Sequence, residues 1–457
     1  MPRVYLGFVF CVALSLVASA FGKEPDYVEG QLILRFASPT TLDEARQSLD
    51  SKNYEVVRAL VPELNIFLVK LKHGLKVKET MRQMMALDDV AYAQADHKVT
   101  LRDTSPNDAE FAKQWALVNP AHNGADIKAT QAWDFGAGGK DRDGNDIVIA
   151  IVDGGMDVAH SDLKGNLWVN KGEIPANQID DDKNGYIDDI NGWNASEKNG
   201  AIPIATHGTH VAGIAGASGN NGTLITGVNW NVKLMAVATP SGTTSSVVEA
   251  YGYVLKQKRL WLDSHGKQGA NVVVTNSSFG IDYADCTKGS YPLWNDLYNE
   301  MGKVGILSAV ATANLNIDVD VKGDVPSGCS SEYLVKVTNT DSNDKINEGA
   351  AYGKSTVDLG APGTEILSTI PGNRVGSLTG TSMATPHVAG AVAFLHSVGS
   401  EDFQKAVKKD PGAGALLLKM LLLVNVDPLT ELENMTTSGG RLNLYTSAKA
   451  VAGYKAE

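Results

Sequence analysis

Apolar residues along this chain gather into runs of three kinds. Short unbroken runs closed by turn residues lie at Ile147 to Val152 before Asp153-Gly154-Gly155, at Val272 to Val274 before Thr275-Asn276-Ser277, and at Gly305 to Val310 before Ala311-Thr312-Ala313-Asn314. Runs of that length predict central strands of a parallel sheet, which are buried on both faces and so lose the alternation of a half-exposed strand. A second kind is apolar on nearly every side at helical spacing: His207 to Gly216, rich in small residues that admit a very close neighbour, and Ala391 to Leu395 downstream of Pro386. Both predict buried helices. Ala415 to Val426, which follows a turn at Pro411-Gly412 and is interrupted by Lys419, predicts another. The third kind is the run Val4 to Ala20, with Arg3 before it and Ala18-Ser19-Ala20 at its end. That is the pattern of a secretory signal with a small-residue cleavage site.

Residues 23 to about 104 have a different texture. Strands are expected at Gly30 to Phe36, Leu64 to Leu71 and Val90 to Ala95, alternating with helices at Leu42 to Leu49 and Val77 to Leu87, which makes a small α+β unit of the ferredoxin-like type. From Asn107 onward, with an early helix through Ala129-Thr130-Gln131-Ala132-Trp133, the length fits one large α/β domain. The expected division is a signal peptide over 1–20, the small α+β unit over 21–104 and the α/β domain over 105–457.

Three polar groups stand where these elements start or stop. Ser382, in Gly380-Thr381-Ser382-Met383-Ala384-Thr385-Pro386-His387, sits at the mouth of the apolar helix with the positive end of that helix beneath its hydroxyl. Pro386 fits a first helical turn, where a missing N–H costs little. Asp153 closes the first strand, at the edge of an open α/β sheet where active groups gather. His207 opens the small-residue helix. Each alone has an ordinary reading, as a helix cap, a turn residue or a packed histidine. Spacing argues against zinc on His207 and His210, because the zinc-protease pair needs a glutamate after the first histidine and the second one full turn on, at i+4. Here Gly208 follows and His210 stands at i+3. His210 is expected to be a packed helix residue.

Taken together, Asp153, His207 and Ser382 in that chain order, each in glycine-rich surroundings, resemble the subtilisin-like serine peptidases, and this is the order subtilisin itself uses. The resemblance runs over roughly residues 23 to 450. It implies an α/β fold, a subtilisin-like parallel sheet flanked by helices, preceded by a ferredoxin-like propeptide. That propeptide would assist folding and occupy the cleft until it is cut away between Asp96 and Asn107. The implied activity is a secreted serine endopeptidase working through an acyl-enzyme on Ser382, with His207 as base, Asp153 as its orienting acid and no catalytic cofactor. Asn314 matches the family's oxyanion asparagine, with Asn316 the competing position two residues on. Ala313 stands where the family has glycine, and its methyl is expected to narrow the primary pocket. Ser278-Phe279-Gly280 matches the substrate-binding strand, along which an extended peptide adds. The alternative is a catalytically silent, peptide-binding relative.

A formal net charge of −12 disfavours nucleic acid as a partner, so the expected partners are protein or peptide substrates and the chain's own propeptide. No membrane span is expected once the signal is removed, and the location is secreted or periplasmic. Of three cysteines, Cys11 leaves with the signal; Cys286 and Cys329 either pair, for about 4 kcal/mol in the chain-entropy picture, or stay as two buried thiols. The acidic run from Asp180 to Asp189 sets oxygen groups at alternate positions around Gly185. Asp180, Asp182 and Asn184, then the Tyr186 carbonyl and Asp188, match the start of a calcium loop that lacks its terminal glutamate, since Asn191 stands there. Structural calcium and a solvated acidic loop both fit this run.

Overall fold

The computed structural model describes residues 27–97, 104–286 and 289–456, so the expected signal peptide and part of the expected maturation segment lie outside the described residues. The chain forms two compact units, Met1–Arg102 and Asp103–Glu457. In the first, strands β1 (Tyr27–Phe36), β2 (Tyr54–Val61), β3 (Ile66–Leu71) and β4 (Val90–His97) and helices α1 (Leu42–Ser48) and α2 (Val77–Met84) build an antiparallel sheet in the order β2-β3-β1-β4. This is the ferredoxin-like arrangement. Alternate residues of β1, Leu32, Leu34 and Phe36, enter its core with Phe67, Val69 and Met84. Strand β2 is the element the hydrophobic pattern misses. It is an edge strand in which Val56 alone is buried, so it has no apolar face to betray it.

The second unit is organised by a nine-stranded sheet. Its strands are β5 (Val148–Asp153), β6 (Gly192–Asn194), β7 (Lys233–Ala238), β8 (Val272–Ser277), β10 (Leu307–Ala311), β12 (Leu334–Thr340), β13 (Leu359–Pro362), β16 (Asp427–Pro428) and β17 (Gly440–Arg441). Two separate ladders pair β9 (Ile281–Asp282) with β11 (Asp324–Val325) and β14 (Ile366–Ile370) with β15 (Arg374–Leu378), both antiparallel. The large sheet runs β16-β17-β13-β12-β10-β8-β5-β7-β6 and is parallel except at the β16-β17 edge. The helices are α3 (Ala129–Ala132), α4 (Thr206–Gly216), α5 (Thr244–Asp263), α6 (Pro292–Lys303), α7 (Val319–Lys322), α8 (Thr381–Val398), α9 (Glu401–Lys409), α10 (Pro411–Val424) and α11 (Leu444–Ala452).

The apolar run of the central strand shows why such a sheet needs helices on both faces. Ile147, Ile149 and Ile151 enter one core with α4, α8, α10 and α11, while Val148, Ala150 and Val152 enter the other with α5 and α6. Fully burying a Val or Ile side chain is worth about 1.5–3 kcal/mol, so each face of β5 contributes several kcal/mol against its own layer of helices. Helix α8 is buried continuously from Thr381 to His396, as expected of a helix apolar all round. Among the described residues no helix is long and apolar enough to cross a membrane. Cys286 and Cys329 are joined in a disulfide that ties the chain beyond β9 to the chain beyond β11.

One expectation about α8 needs correcting. The helix begins at Thr381, so Pro386 lies inside it, in the second turn rather than the first. A proline there leaves the carbonyl four residues back without its helical donor. That carbonyl belongs to Ser382, and it accepts the Ser278 hydroxyl at 3.0 Å instead.

Candidate active site

Asp153 is the last residue of β5, 6 % exposed, at the C-terminal edge of the sheet where the backbone leaves for a glycine pair. Its carboxylate accepts the Gly154 N–H at 2.7 Å through Oδ1 and the His207 Nδ1–H at 2.8 Å through Oδ2. His207 reaches it from the second position of α4, and the next residue explains how the helix comes so close. A methyl on Gly208 would meet the Gly155 carbonyl oxygen at 2.0 Å and the Asp153 Cβ at 3.0 Å. Burial by itself pulls the His207 pKa down, but the hydrogen bond and charge of Asp153 outweigh it and hold it above the usual 6.5. With Nδ1 protonated toward Asp153, Nε2 carries the free lone pair. His210, three residues on, is fully buried and donates from Nε2 to the carbonyls of Ile366 and Gly376 at 2.9 and 3.0 Å. It is the packed helix residue its spacing suggests, and burial pushes its pKa down to about 4.

Ser382 is the second residue of α8, 8 % exposed. Its hydroxyl donates to the Ser278 carbonyl at 3.2 Å while its own carbonyl accepts from the Ser278 hydroxyl. The nucleophile candidate is thus clamped to the first residue of Ser278-Phe279-Gly280, just beyond the end of β8. Those three residues form a shared wall between two adjoining cavities. One, of about 170 Å³, is lined by Asp153, His207, Thr239, Val247 and Trp294; the other, of about 90 Å³, by Ala313, Asn314, Thr381, Ser382, Asp282 and Asp324.

Asn314 is exposed into this second cavity. Its Oδ1 accepts the Thr381 backbone N–H at 2.9 Å and lies 3.1 Å from the Thr381 hydroxyl, which also donates to the Thr312 carbonyl at 2.6 Å. Because a backbone N–H can only donate, the amide orientation is fixed by chemistry, and Nδ2 is the group left to donate. Asn316 is also exposed but does not line this cavity. Ala313 does.

The acidic loop is built differently from its spacing. One carboxylate oxygen from each of Glu173, Asp182 and Asp189 lies within 4.8 Å of the others. Of the three carboxylates expected from the calcium-loop pattern, Asp182 alone belongs to this group. Asp180 turns both oxygens to the backbone N–H groups of Asn184 and Gly185, and Asp188 to those of Asn177 and Gln178. Asn184 points its NH₂ at Asp182 and Asp189 and accepts the Tyr186 N–H with its oxygen. The Tyr186 ring packs edge-on against Trp193 and Tyr253. Short acidic side chains in a turn bond their own backbone first, and a pattern of alternate oxygens does not anticipate that competition. Glu173 lies outside the acidic run, and Asp189 is one register away from Asp188. Asp189 is fully buried and accepts from Asn170, Tyr253 and Gln257, and burial pushes its pKa up to about 7.

The Subtilase family profile matches residues 144–428, and the Fervidolysin N-terminal prodomain profile matches residues 16–96. The Thermophilic serine proteinase of Bacillus sp. (strain AK1) is 31% identical over 386 residues, covering 83% of this chain and 80% of that one. Subtilisin-like protease 1 of Plasmodium berghei (strain Anka) is 28% identical over 324 residues, 66% of this chain, which spans about half (49%) of that longer relative. Among solved structures, the epidermin leader peptide processing serine protease of Staphylococcus aureus shares the fold with a TM-score of 0.55 at 21% identity, over 94% of this chain and all of that one. A protease from Pseudoalteromonas arctica does so with a TM-score of 0.55 over 76% of this chain. A profile match over more than half its length, laid on a sheet that ends in Asp153 and a buried helix that begins at Ser382, places this chain in the subtilase family, with a fervidolysin-like prodomain ahead of the peptidase fold.

Proposed function

We propose that this chain is a secreted serine endopeptidase, made as a precursor inhibited by residues 21–104 of its own chain. The observation that carries the reading is the 2.8 Å hydrogen bond between His207 Nδ1 and Asp153, with Nε2 left free in a cavity that shares its Ser278–Gly280 wall with the one holding Ser382 and Asn314. An extended substrate adds along Ser278-Phe279-Gly280 and displaces the Ser382 hydroxyl from the Ser278 carbonyl. The hydroxyl then turns to His207. Nε2 takes its proton as Oγ attacks the peptide carbonyl, and Asp153 stabilises the resulting imidazolium. The carbonyl oxygen becomes an oxyanion, held by Asn314 Nδ2 and by the Ser382 N–H, one of the first helical N–H groups that have no acceptor within the helix. His207 returns the proton to the leaving amine, the ester on Ser382 remains, and a water activated by the same imidazole releases the acid.

The residues around Glu173, Asp182 and Asp189 fit a hard divalent cation, because the donor set is all oxygen and one carboxylate is fully buried with neutral donors only around it. We assign calcium to it as a structural ion, with no step of the reaction passing through it. A fluorophosphonate tests the main reading. It should label Ser382 of the mature protein, and Ser382→Ala should lose the label and leave the precursor uncut. A folded wild-type protein that takes up no label would instead be the silent, peptide-binding relative.

A further inference from the structure

Two carboxylates line the cavity beside Ser382 without a part in the reaction, Asp324 and Asp282. Asp324 opens β11 and is 1 % exposed, yet it lies on the wall of this cavity together with Asn314 and Ser382. One of its oxygens accepts the Ser327 hydroxyl; the other, Oδ1, is buried without a hydrogen-bond partner. That oxygen faces Gly280, 3.6 Å from where a methyl on that glycine would stand, so it looks onto the strand along which substrate would lie. Across the β9-β11 ladder its register partner is Asp282, an exposed carboxylate that lines the same cavity. Among the described residues no lysine or arginine forms an ion pair with Asp324. Burial, and then the charge of Asp282, push its pKa up, the Ser327 hydroxyl and the amides of Ala313 and Val325 offset this in part, and the net value is about 6.

A buried carboxylate oxygen without a full hydrogen bond is costly, and native structures keep such groups where something else completes them. What would complete this one is a cation with N–H groups, arriving through the open side of the cavity. We infer that this cavity selects a lysine or arginine side chain at the residue whose carbonyl Ser382 attacks, with Asp324 as the determinant at its inner end and Asp282 as a second charge at its rim. The inference rests on the peptidase reading above. Selection works from both sides. A cationic side chain pairs with Asp324, whereas a leucine or phenylalanine would seal Asp324 in, desolvated and unpaired. A pocket whose buried polar group is left unsatisfied rejects the wrong ligand far more strongly than a missing methylene can, so a preference of at least about 100-fold is expected.

The test uses mature protein and two kinds of probe. A plain fluorophosphonate, without an amino-acid side chain, reports whether Ser382 reacts at all. Peptidyl diphenyl phosphonates that differ only in the final side chain, lysine or arginine against leucine or phenylalanine, report the pocket. Labelling by the cationic pair at least about 100-fold faster is the expected result. Equal or faster labelling by the neutral pair, with the plain probe still reacting, overturns the inference and leaves the peptidase reading standing. Failure of every probe overturns both. Asp324→Asn, which keeps the shape and removes the charge, should collapse most of the ratio, and Asp282→Asn only part of it. A ratio unchanged in Asp324→Asn would remove Asp324 from the role, and if that variant does not fold, the wild-type ratio still decides whether the pocket selects cations.

Discussion

At the scale of single residues the site rests on donors and acceptors whose direction is forced. Asn314 must present Nδ2 to the cavity because the Thr381 N–H claims its oxygen, so, on the proposed role, Asn314→Ala should lower kcat by about 100- to 1000-fold, the range for removing one oxyanion-hole donor, with KM little changed. His207 must be neutral to act as base, and Asp153 holds its pKa above 6.5. Activity on a neutral substrate should therefore rise with pH through a midpoint above 6.5, and Asp153→Asn should move that midpoint down as well as lowering the rate. The sign for stability is opposite. A histidine with a raised folded pKa contributes stability that is present below 6.5 and lost as pH rises through the folded value, so this pair helps folding most where it catalyses least. These residues were legible in the sequence because their chemistry is local to short motifs. Asp324 was not, since Gly-Asp-Val-Pro reads as an ordinary turn, and only folding buries it beside Ser382.

At the scale of elements the site is held by the crossing of α4 and α8, which carry His207 and Ser382. A methyl on Gly390 of α8 would stand 2.7 Å from Val228 Cβ and 2.8 Å from the Ala215 carbonyl oxygen of α4. Alanine in a helix gains up to about 1 kcal/mol over glycine, but overpacking against groups that cannot yield costs about 1–3 kcal/mol. Gly390→Ala should therefore lower the denaturant midpoint. Gly252→Ala in α5, where nothing lies within 4 Å of the added methyl, should leave it unchanged or raise it, and equilibrium unfolding of the two variants side by side checks this. Elements such as β5 and α8 were readable because burial on all sides leaves an unbroken apolar run. Strand β2 escaped because an edge strand with one buried residue has no such run, and the turn of Pro386 was misjudged because its vacated carbonyl is satisfied by Ser278, just past β8 and far away in sequence.

At the scale of the whole peptidase unit, the acidic loop is tied to the second core, because Tyr253 and Gln257 of α5 both donate to Asp189 at 2.8 Å. Calcium bound among Glu173, Asp182 and Asp189 would thus stabilise α5 and the packing beneath it, not the loop alone. An ion that binds only the folded state adds about 2.7 kcal/mol at a concentration one hundred times its dissociation constant, enough to raise the thermal midpoint of the mature protein by several degrees. A chelator should remove that increment. Asp189→Asn and Glu173→Gln should abolish the response to calcium, each by taking a charge from the cluster, whereas Asp180→Asn should keep it, since Asp180 stands outside the cluster and the asparagine still offers an oxygen to one of the backbone N–H groups that Asp180 serves. Melting curves with calcium and with chelator separate the two ligand sets. A calcium response that survives in Asp189→Asn and vanishes in Asp180→Asn would return the ion to the alternate positions of the acidic run and leave the buried carboxylate with its neutral donors only.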